Sequence, residues 1–330
     1  MQYRKFGNTE LTVSEVGFGA WAIGGNSKVG ETPIGWGNVD DDVSKKAIHT
    51  ALDAGINFFD TADFYGLGHS EKILGETLKE NKSVTIATKV GHRNVGEKII
   101  LDYSKAYILK ACEESLKRLQ RDVIDYYQLH SARIQHLQDG ECIEAMELLK
   151  QQGKIRYWGL SLNTFYPDAE ANFLIEKHSG DGFQLVFNLI NQKAMNIIKE
   201  AANKGYGIIA RMPLQFGLLT GKFSAASKFE KDDHRSFRLT SEIIQSALKV
   251  LEEKVWPIAQ QEHLNKIELA LSFILSFKEI STTIPGIRTP EHVLQNTTGL
   301  RSLAKENVEL LQSLSKTDWK PVVELMEKRG

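Results

Sequence analysis

Short apolar runs and amphipathic stretches alternate along the chain in a regular order. Residues 43–52 repeat apolar side chains every three to four positions, which predicts a helix with one buried face, and Asp40 to Asp42 precede it as candidate N-cap residues. Gly55 ends this helix, and the apolar run 56–60 predicts a short strand. Strands are predicted at 16–21, 56–60, 84–90, 123–130, 155–162, 183–189, 207–212 and 280–285, with further helices at 71–79, 104–119, 141–151, 168–177, 193–203, 241–255 and 262–277.

This alternation predicts an α/β fold built on a parallel sheet. Parallel strands joined by right-handed helical crossovers form such sheets, and eight units of this kind fit a closed (β/α)8 TIM barrel. An open doubly wound sheet is the alternative, but the first predicted strand, with Gly17 and Gly19, leads into a long loop instead of a helix. No break in composition divides the chain, so we expect a single barrel domain over residues 1–330.

Two additions to the barrel are predicted, one at the N-terminal end and one at the C-terminal end of the chain. Residues 3–6 and 11–13 flank a polar turn that contains Gly7, which predicts an N-terminal β-hairpin. Extra C-terminal helices are expected at 291–300 and 308–325. Loops in which substrate choice is expected to reside cover 22–39, 91–103, 131–140 and 222–240.

Composition narrows the classes of function. The net charge of −1 gives no general attraction for nucleic acid or an anionic membrane. The two cysteines, Cys112 and Cys142, are too few for a disulfide scaffold, and a reducing compartment is expected. No apolar run has the length of a transmembrane helix, and the first six residues lack the apolar core of a signal peptide. We therefore expect a cytoplasmic protein without a membrane or nucleic-acid partner.

Polar residues stand where the predicted strands end. In a (β/α)8 barrel the carboxyl ends of all strands meet at one rim, and active sites are built there. The second, third and fourth strands bring Asp60, Lys89 and His130 to this rim, and Tyr65 follows in the loop after Asp60. Taken alone, Asp60 is as well explained as a capping residue. A single lysine at a strand end is more often solvated, and a single histidine there is more often a structural hydrogen-bonding residue than a catalyst. Several placed by independent strand predictions indicate a functional site.

These four residues can deliver a proton to an oxygen that gains negative charge. A free tyrosine has a pKa of about 10, and the nearby Lys89 cation is expected to lower the pKa of Tyr65. Asp60 would hold Lys89 in its charged form, and His130 can donate a hydrogen bond to a carbonyl oxygen. Carbonyl reduction needs such an acid together with a hydride. Because no side chain can donate a hydride, the set predicts a nicotinamide cofactor.

Two stretches around these residues resemble sequence signatures of the aldo-keto reductases. The first covers 55–66 and 69–75, and the second covers 116–130, with the sequence LKRLQRDVIDYYQLH. The resemblance extends over essentially the whole chain and implies that the four residues are the catalytic tetrad of that family. Residues 19–25 and 284–286 are most similar to the bacterial branch with inositol-operon and general-stress reductases. The resemblance implies a (β/α)8 barrel, NADPH (NADP⁺) as cofactor with NADH as a second candidate, and reversible reduction of aldehydes or ketones.

The same resemblance assigns residues to the nicotinamide carboxamide. Ser161 and Gln184 would bind it, because hydroxyl and amide groups suit that task. The family usually has Asn directly after the serine, whereas this chain has Leu162 and then Asn163. One carboxamide hydrogen bond is therefore either lost or rebuilt by Asn163.

Arg211 would lie against the nicotinamide ring in this resemblance, and Trp21 and Asp60 are also expected to bind the cofactor. Arg211 stands where many members stack an aromatic ring. Its charge beside a ring that is cationic when oxidised predicts weaker binding of NADP⁺ relative to NADPH. The alternative is that Arg211 turns away into a salt bridge.

The phosphates and the adenosine are assigned to two later segments by the resemblance. The loop 213–222, PLQFGLLTGK, would fold over the pyrophosphate, and 286–296 would bind the adenosine with its 2′-phosphate. The pyrophosphate residues are Pro213, Leu214, Gly217, Lys222 and Arg235, of the stretch Asp232-Asp233-His234-Arg235, and the adenosine residues are Gly286, Arg288, His292, Gln295 and Asn296.

A small-molecule carbonyl or alcohol is the expected substrate. Trp21, Tyr65 and His130 would contact it, and Trp36 would either wall the same pocket or pack within its own loop. No metal site is predicted, and the identity of the substrate and the oligomeric state stay open. One alternative is an NADPH-binding regulatory subunit, as the potassium-channel β subunits are, and another is a metal-dependent or glycosidic hydrolase on the same fold.

Overall fold

Eight parallel strands form a closed barrel surrounded by helices in the computed structural model, which describes residues 1–35, 37–230, 233 and 235–329. The strands are β1 (Tyr3–Lys5), β2 (Thr12–Ser14), β3 (Phe18–Gly19), β4 (Lys28–Val29), β5 (Thr32–Pro33), β6 (Phe58–Asp60), β7 (Thr85–Val90), β8 (His92–Val95), β9 (Lys98–Leu101), β10 (Ile124–His130), β11 (Ile155–Ser161), β12 (Gly182–Val186), β13 (Gly207–Arg211) and β14 (Thr282–Ile284). The helices are α1 (Asp41–Asp53), α2 (His69–Leu78), α3 (Lys105–Leu119), α4 (Ile134–Asp139), α5 (Glu141–Gln151), α6 (Asp168–Glu176), α7 (Met195–Asn203), α8 (Arg235–Arg238), α9 (Ser241–Val250), α10 (Trp256–Gln261), α11 (Lys266–Leu275), α12 (Pro290–Thr297), α13 (Lys305–Ser313) and α14 (Trp319–Glu327).

The barrel strands lie in the order β14-β13-β12-β11-β10-β7-β6-β3, and all neighbours are parallel. The two ends of this row join at a seam. There the Gly17 N–H donates to the Thr283 carbonyl over 2.8 Å and the Gly19 N–H donates to the Pro285 carbonyl over 3.0 Å. The prediction of a (β/α)8 barrel is confirmed, and the carboxyl ends of all eight strands meet at one rim.

The N-terminal hairpin of β1 and β2 closes the opposite end of the barrel, as predicted. Phe6 follows β1 and is fully buried, with its ring centroid 4.9 Å from that of Tyr126 inside the barrel. A Cβ atom added at Gly207 would lie 2.5 Å from the Phe6 ring, so only a glycine at this position leaves enough space for the ring. Because apolar side chains fill this end, the polar rim at the other end is left to form a site.

The outer helices bury one apolar face each against the strands. In α3 the buried positions include Ile108, Cys112, Leu116 and Leu119, which recur every three to four residues. Ser104 caps this helix by accepting a hydrogen bond from the Tyr107 N–H over 3.4 Å. The pattern that predicted the helices is therefore the pattern that packs them.

Several elements differ from the predicted ones. The hairpins β4–β5 and β8–β9 and the helix α4 lie in stretches that were predicted to be loops. The helix predicted at 262–277 begins later, because Asn265 is its N-cap and forms a capping box with Glu268. The first predicted C-terminal helix is α12, and the second, predicted at 308–325, is divided into α13 and α14 by a 3-10 turn at Leu314–Lys316. No helix within the described ranges combines the length and apolar character needed to cross a membrane.

Candidate active site

A buried lysine, Lys89, lies at the centre of the polar residues on this rim. The Lys89 Nζ donates hydrogen bonds to Asp60 Oδ2 over 2.6 Å, to the Thr61 carbonyl over 2.7 Å and to Tyr65 Oη over 3.2 Å. The side chains of Lys89 and Asp60 are 0% and 3% exposed. Burial alone would lower the pKa of Lys89, but the adjacent Asp60 and Tyr65 oxygens outweigh it and raise that pKa. Lys89 is therefore an ammonium ion with three acceptors.

Two glutamines complete the hydrogen bonds of Asp60. The second carboxylate oxygen, Oδ1, accepts from Gln184 Nε2 over 2.7 Å and from Gln128 Nε2 over 3.2 Å. Gln184 is a predicted carboxamide ligand, and the structure places its amide nitrogen on Asp60. The sequence analysis missed Gln128, although it lies two residues before His130 on β10 and must face the same side as His130.

Tyr65 begins a short 3-10 turn, Tyr65–Gly68, in the loop after β6. An added Cβ at Gly66 would lie 2.1 Å from the Gly24 carbonyl oxygen, so a glycine is needed there for the turn to approach the loop after β3. Burial raises the pKa of Tyr65, and the opposing effect of Lys89 does not compensate for it. The expected lowering of this pKa is therefore wrong for the protein without a ligand, and the phenol holds its proton at neutral pH.

His130 ends β10 with its imidazole directed at Tyr65. The two rings meet edge to face with centroids 5.9 Å apart. Burial, and then the proximity of His92 and Lys89, lowers the pKa of His130 well below its ordinary value. The imidazole is therefore neutral and keeps one N–H to donate. Its Nδ1 is buried and has no hydrogen-bond partner in the described part of the chain.

Trp21 covers the tyrosine from the loop after β3. Its ring lies 6.0 Å from that of Tyr65 at an interplanar angle of 26°, and its indole N–H donates to the Ile34 carbonyl over 3.2 Å. The structure thus brings together Trp21, Tyr65 and His130, the three predicted substrate contacts, with the Tyr65 ring between the other two. Trp36, Asp232 and His234 lie outside the described residues.

Two of the predicted nicotinamide residues, Ser161 and Arg211, end strands on the same rim. Ser161 is buried at the end of β11, and Leu162 after it is fully buried. The Asn163 Oδ1 accepts from the N–H groups of Phe165 and Tyr166 over 2.9 and 3.0 Å, so this oxygen stabilises a local turn.

Arg211 ends β13 and donates to the Leu162 carbonyl over 3.2 Å and to Thr164 Oγ1 over 3.1 Å. Its Nε is buried without a hydrogen-bond partner, and no ion pair of Arg211 occurs among the described residues. The predicted alternative of a salt bridge is therefore absent from that part of the chain. Burial, and then the proximity of Arg238, lowers the pKa of Arg211 to about 10, so the guanidinium stays charged at neutral pH.

The loop after β13 has an unusual backbone. Met212, Gln215 and Phe216 have positive φ angles of 56°, 45° and 55°. Such conformations cost about 1–3 kcal/mol each in non-glycine residues and gather at ligand sites. Pro213 is buried, Leu214 packs on the core, and Gly217 also has a positive φ, of 92°. This strain supports the predicted role of the loop in holding a ligand.

Two arginines one helical turn apart have different surroundings. The Arg235 guanidinium donates to both carboxylate oxygens of Asp233, so the predicted phosphate ligand has a partner within the protein. Arg238 lies over the Phe216 ring at 5.5 Å and has a buried Nε without a partner in the described residues. Its charge lowers the pKa of Arg211. Arg238, which the sequence analysis missed, is therefore the arginine of α8 that faces the site.

The predicted adenosine residues follow the seam of the barrel. Gly286 pairs with Gly19 across it, and no atom lies within 4 Å of a Cβ added at Gly286. Burial, and then the charges of Arg288 and Lys222, lowers the pKa of His292, so these three basic side chains lie close together.

A pocket of about 540 Å³ adjoins this basic cluster. Gln295 and Lys222 line it, together with Lys266, which the sequence analysis missed, and Trp256. Asn296 is buried on the same helix, α12. Basic groups and amides without a carboxylate in the pocket lining suit the phosphates of a dinucleotide.

No group of three or more His, Cys, Asp or Glu side chains in the described ranges is arranged to hold a metal ion.

Comparison with known proteins agrees with this arrangement. The sequence pattern of the aldo/keto reductase family matches residues 15–316. The chain is 31% identical over 325 residues to the uncharacterized oxidoreductase YqkF of Bacillus subtilis, covering 96% of this chain and 98% of that protein. It is 26% identical over 318 residues to a probable voltage-gated potassium channel subunit beta of Oryza sativa subsp. japonica, with 90% of each chain covered. The solved structure of the glycerol dehydrogenase AKR11B4 from Gluconobacter oxydans has a TM-score of 0.78 at 30% identity and covers 95% of both chains.

Proposed function

The chain belongs to the aldo/keto reductase family, and we propose that it reduces the carbonyl group of a small molecule to an alcohol with NADPH as the reductant. The observation that carries this proposal is the position of Lys89. Its buried ammonium group contacts both the Asp60 carboxylate and the Tyr65 hydroxyl. A protonated tyrosine beside a fixed cation is the acid that carbonyl reduction needs.

Tyr65 is the proton donor in this mechanism. Its hydroxyl is protonated at neutral pH, because burial raises its pKa, and it gives the proton to the carbonyl oxygen as that oxygen gains charge. Lys89 stabilises the tyrosinate that remains, and Asp60 keeps Lys89 in place. The neutral His130 ring donates its N–H to the same carbonyl oxygen and orients it. The nicotinamide, when bound, supplies the hydride.

The chain has residues suited to each part of that cofactor. By family resemblance, Ser161 and Gln184 would bind the carboxamide, and Arg211 would lie beside the nicotinamide ring. Arg211 and Arg238 each bury an Nε that has no acceptor in the part of the chain that the structure describes, and such donors suit an anionic ligand.

The basic cluster of Lys222, Arg288 and His292 suits a 2′-phosphate. We infer from it a preference for NADPH, with NADH as the weaker cofactor.

A second candidate function is suggested by the similarity to a potassium channel β subunit. In that case the chain would bind NADPH and act on a partner protein with little turnover. NADPH oxidation with a reactive aldehyde such as nitrobenzaldehyde distinguishes the two, because a regulatory subunit would bind NADPH without consuming it at a catalytic rate. A screen of aldehydes, ketones, sugars and inositols, with glyceraldehyde added because of the glycerol dehydrogenase relative, then defines the substrate class.

The decisive test replaces Tyr65 with Phe. Loss of the general acid should lower kcat for aldehyde reduction by about 100- to 10,000-fold. The dissociation constant of NADPH, measured by fluorescence titration, should stay nearly unchanged, since the ring is retained. Leu67→Ala is the control, because that neighbouring side chain is 44% exposed. Full activity of Tyr65→Phe would contradict the mechanism even though the fold is established.

A further inference from the structure

His92 is a largely buried histidine that the mechanism above does not use. It is the first residue of β8 and lies three residues after Lys89. Its ring centroid lies 4.3 Å from that of His130 at an interplanar angle of 70°. On another side it meets the Phe64 ring at 5.4 Å. His92 therefore contacts the catalytic imidazole directly and contacts the residue before Tyr65.

These contacts complete a circuit of four rings. Tyr65 meets His130 at 5.9 Å, His130 meets His92, and His92 meets Phe64, which is joined covalently to Tyr65. The circuit fixes the spacing of the two groups that face the carbonyl oxygen. His92 is the member that connects the His130 ring to the segment carrying Tyr65.

The backbone on both sides of this pair is held by one tyrosine. Gly91 precedes His92 with a φ of 133°, and an added Cβ there would lie 2.1 Å from the Tyr103 ring. The Tyr103 hydroxyl donates to the His130 carbonyl over 2.5 Å. The chain segments that carry His92 and His130 are thus anchored to each other, which gives the 4.3 Å ring contact a rigid support.

The contact between the two imidazoles is one of ring packing. Both Nδ1 atoms are buried and have no hydrogen-bond partner in the described ranges. Burial, and then the nearby Arg133, lowers the pKa of His92 to about 4, so this ring is neutral. A neutral ring that forms an edge-to-face contact can be replaced by another aromatic ring of similar shape.

We propose that His92 is a positioning residue for carbonyl reduction, which holds the His130 imidazole at a fixed distance from the Tyr65 hydroxyl through ring packing. The inference rests on the proposed function and specifies which residue maintains the geometry of that site. It predicts that the ring of His92 matters and that its nitrogen atoms do not.

Two variants separate these properties. His92→Ala removes the ring, and kcat for aldehyde reduction should fall by about 10- to 100-fold, because a misplaced catalytic group costs this much. The dissociation constant of NADPH should not change. His92→Phe keeps a ring and should recover most of the lost kcat. His49→Ala removes an exposed histidine on α1 and should match the wild type in both measurements.

Nuclear magnetic resonance of ¹³C-labelled histidine side chains gives a readout that does not depend on turnover. The His130 signal is assigned from its loss in His130→Gln. In His92→Ala it should shift and broaden, because the ring gains freedom, and in His92→Phe it should stay sharp. Should His92→Ala unfold by circular dichroism, His92→Leu fills the same space without an aromatic ring and takes its place.

An unchanged kcat and an unchanged His130 signal in His92→Ala would overturn the proposal. Equal impairment of His92→Phe and His92→Ala would overturn it as well, since the nitrogen atoms would then be required. If the wild type reduces no carbonyl compound, the proposed function fails. The signal of His130 in the two variants still decides whether His92 positions it.

Discussion

The catalytic residues and the basic residues after β13 lie on the same rim but satisfy their polar groups differently. Lys89 directs its ammonium group at three acceptors within the protein, the carboxylate of Asp60, the carbonyl of Thr61 and the hydroxyl of Tyr65. Arg211 and Arg238 each bury an Nε that has no hydrogen-bond partner among the described residues. Within the described residues, the Lys89 ammonium group is fully paired without a ligand, whereas the second region leaves these two buried donors unpaired.

This difference separates a preorganised catalytic group from a binding surface that a ligand completes. A buried donor without an acceptor costs about 1–3 kcal/mol, which an anionic ligand can recover when it binds. A donor already paired within the protein gains nothing from the ligand. We therefore expect substitutions in the first region to lower kcat and substitutions in the second region to weaken cofactor binding.

Among the variants that compare these two regions, the largest effect is expected for Lys89→Met. Removing the cation should lower kcat by about 100- to 1,000-fold, because the tyrosinate formed during proton transfer loses its stabilising charge. It should also lower the free energy of unfolding by about 3–5 kcal/mol, since the buried Asp60 loses its counter-ion. Steady-state kinetics and urea denaturation measure the two effects.

The double variant Asp60→Asn with Lys89→Met is the control for Lys89→Met. It should regain part of the stability and none of the activity, because it removes the buried charge without restoring the acid. A single Lys89→Met variant with wild-type kcat would show that this region is structural.

The residues of the first region were predictable because barrel geometry brings strand ends together whatever the loops do. Asp60 and His130 each end a strand, and Lys89 is the penultimate residue of its strand. The apolar patterns of these strands can be recognised in the sequence, so the prediction needs no knowledge of distant contacts. Gln128 was missed although the signal was present. It lies two residues before His130 on the same strand, so alternation alone places it on the inner face.

The second region and the loop hairpins were less predictable, for physical reasons. The strands of the β4–β5 hairpin have two residues each and depend on neighbouring loops, as where Gly30 packs on Glu97. No local periodicity records such a contact. The helix α8 has four residues, too few for a pattern to tell whether Arg235 or Arg238 faces the site. The pKa of Tyr65 was misjudged because burial depends on the folded chain.

Arg288→Ala is expected to have the next largest effect. It should weaken NADPH binding by about 10- to 100-fold, because charge-assisted hydrogen bonds contribute about 1.5–3 kcal/mol. NADH binding should be unaffected, since NADH lacks the 2′-phosphate. Fluorescence titrations with both cofactors measure the effect, and NADH serves as the internal control. An equal loss of affinity for NADH would mean that Arg288 does not contact that phosphate.

A smaller effect, about tenfold, is expected for Arg238→Ala on the binding of both NADPH and NADH. The Arg238 guanidinium, whose buried Nε has no hydrogen-bond partner among the described residues, should contact a part of the cofactor that the two dinucleotides share. Arg235→Ala is the matched control from the same helix, and it should change little because Arg235 is paired with Asp233. If Arg235→Ala were the more damaging change, pairing within the protein would not distinguish the two regions.

The smallest effect is expected for Arg211→Tyr. This variant tests whether Arg211 belongs to the region that binds the ligand or to the region whose polar groups are paired within the protein. A unit charge a few ångströms from the oxidised ring contributes about 1 kcal/mol when it is fully screened by solvent, or about fivefold in affinity, and this is the least expected here because Arg211 is partly buried. The variant should therefore bind NADP⁺ more tightly relative to NADPH, and the ratio of the two dissociation constants measures this. An unchanged ratio would mean that the hydrogen bonds to Leu162 and Thr164 hold the guanidinium away from the ring. Arg211 would then belong with Lys89, as a group whose partners lie within the protein.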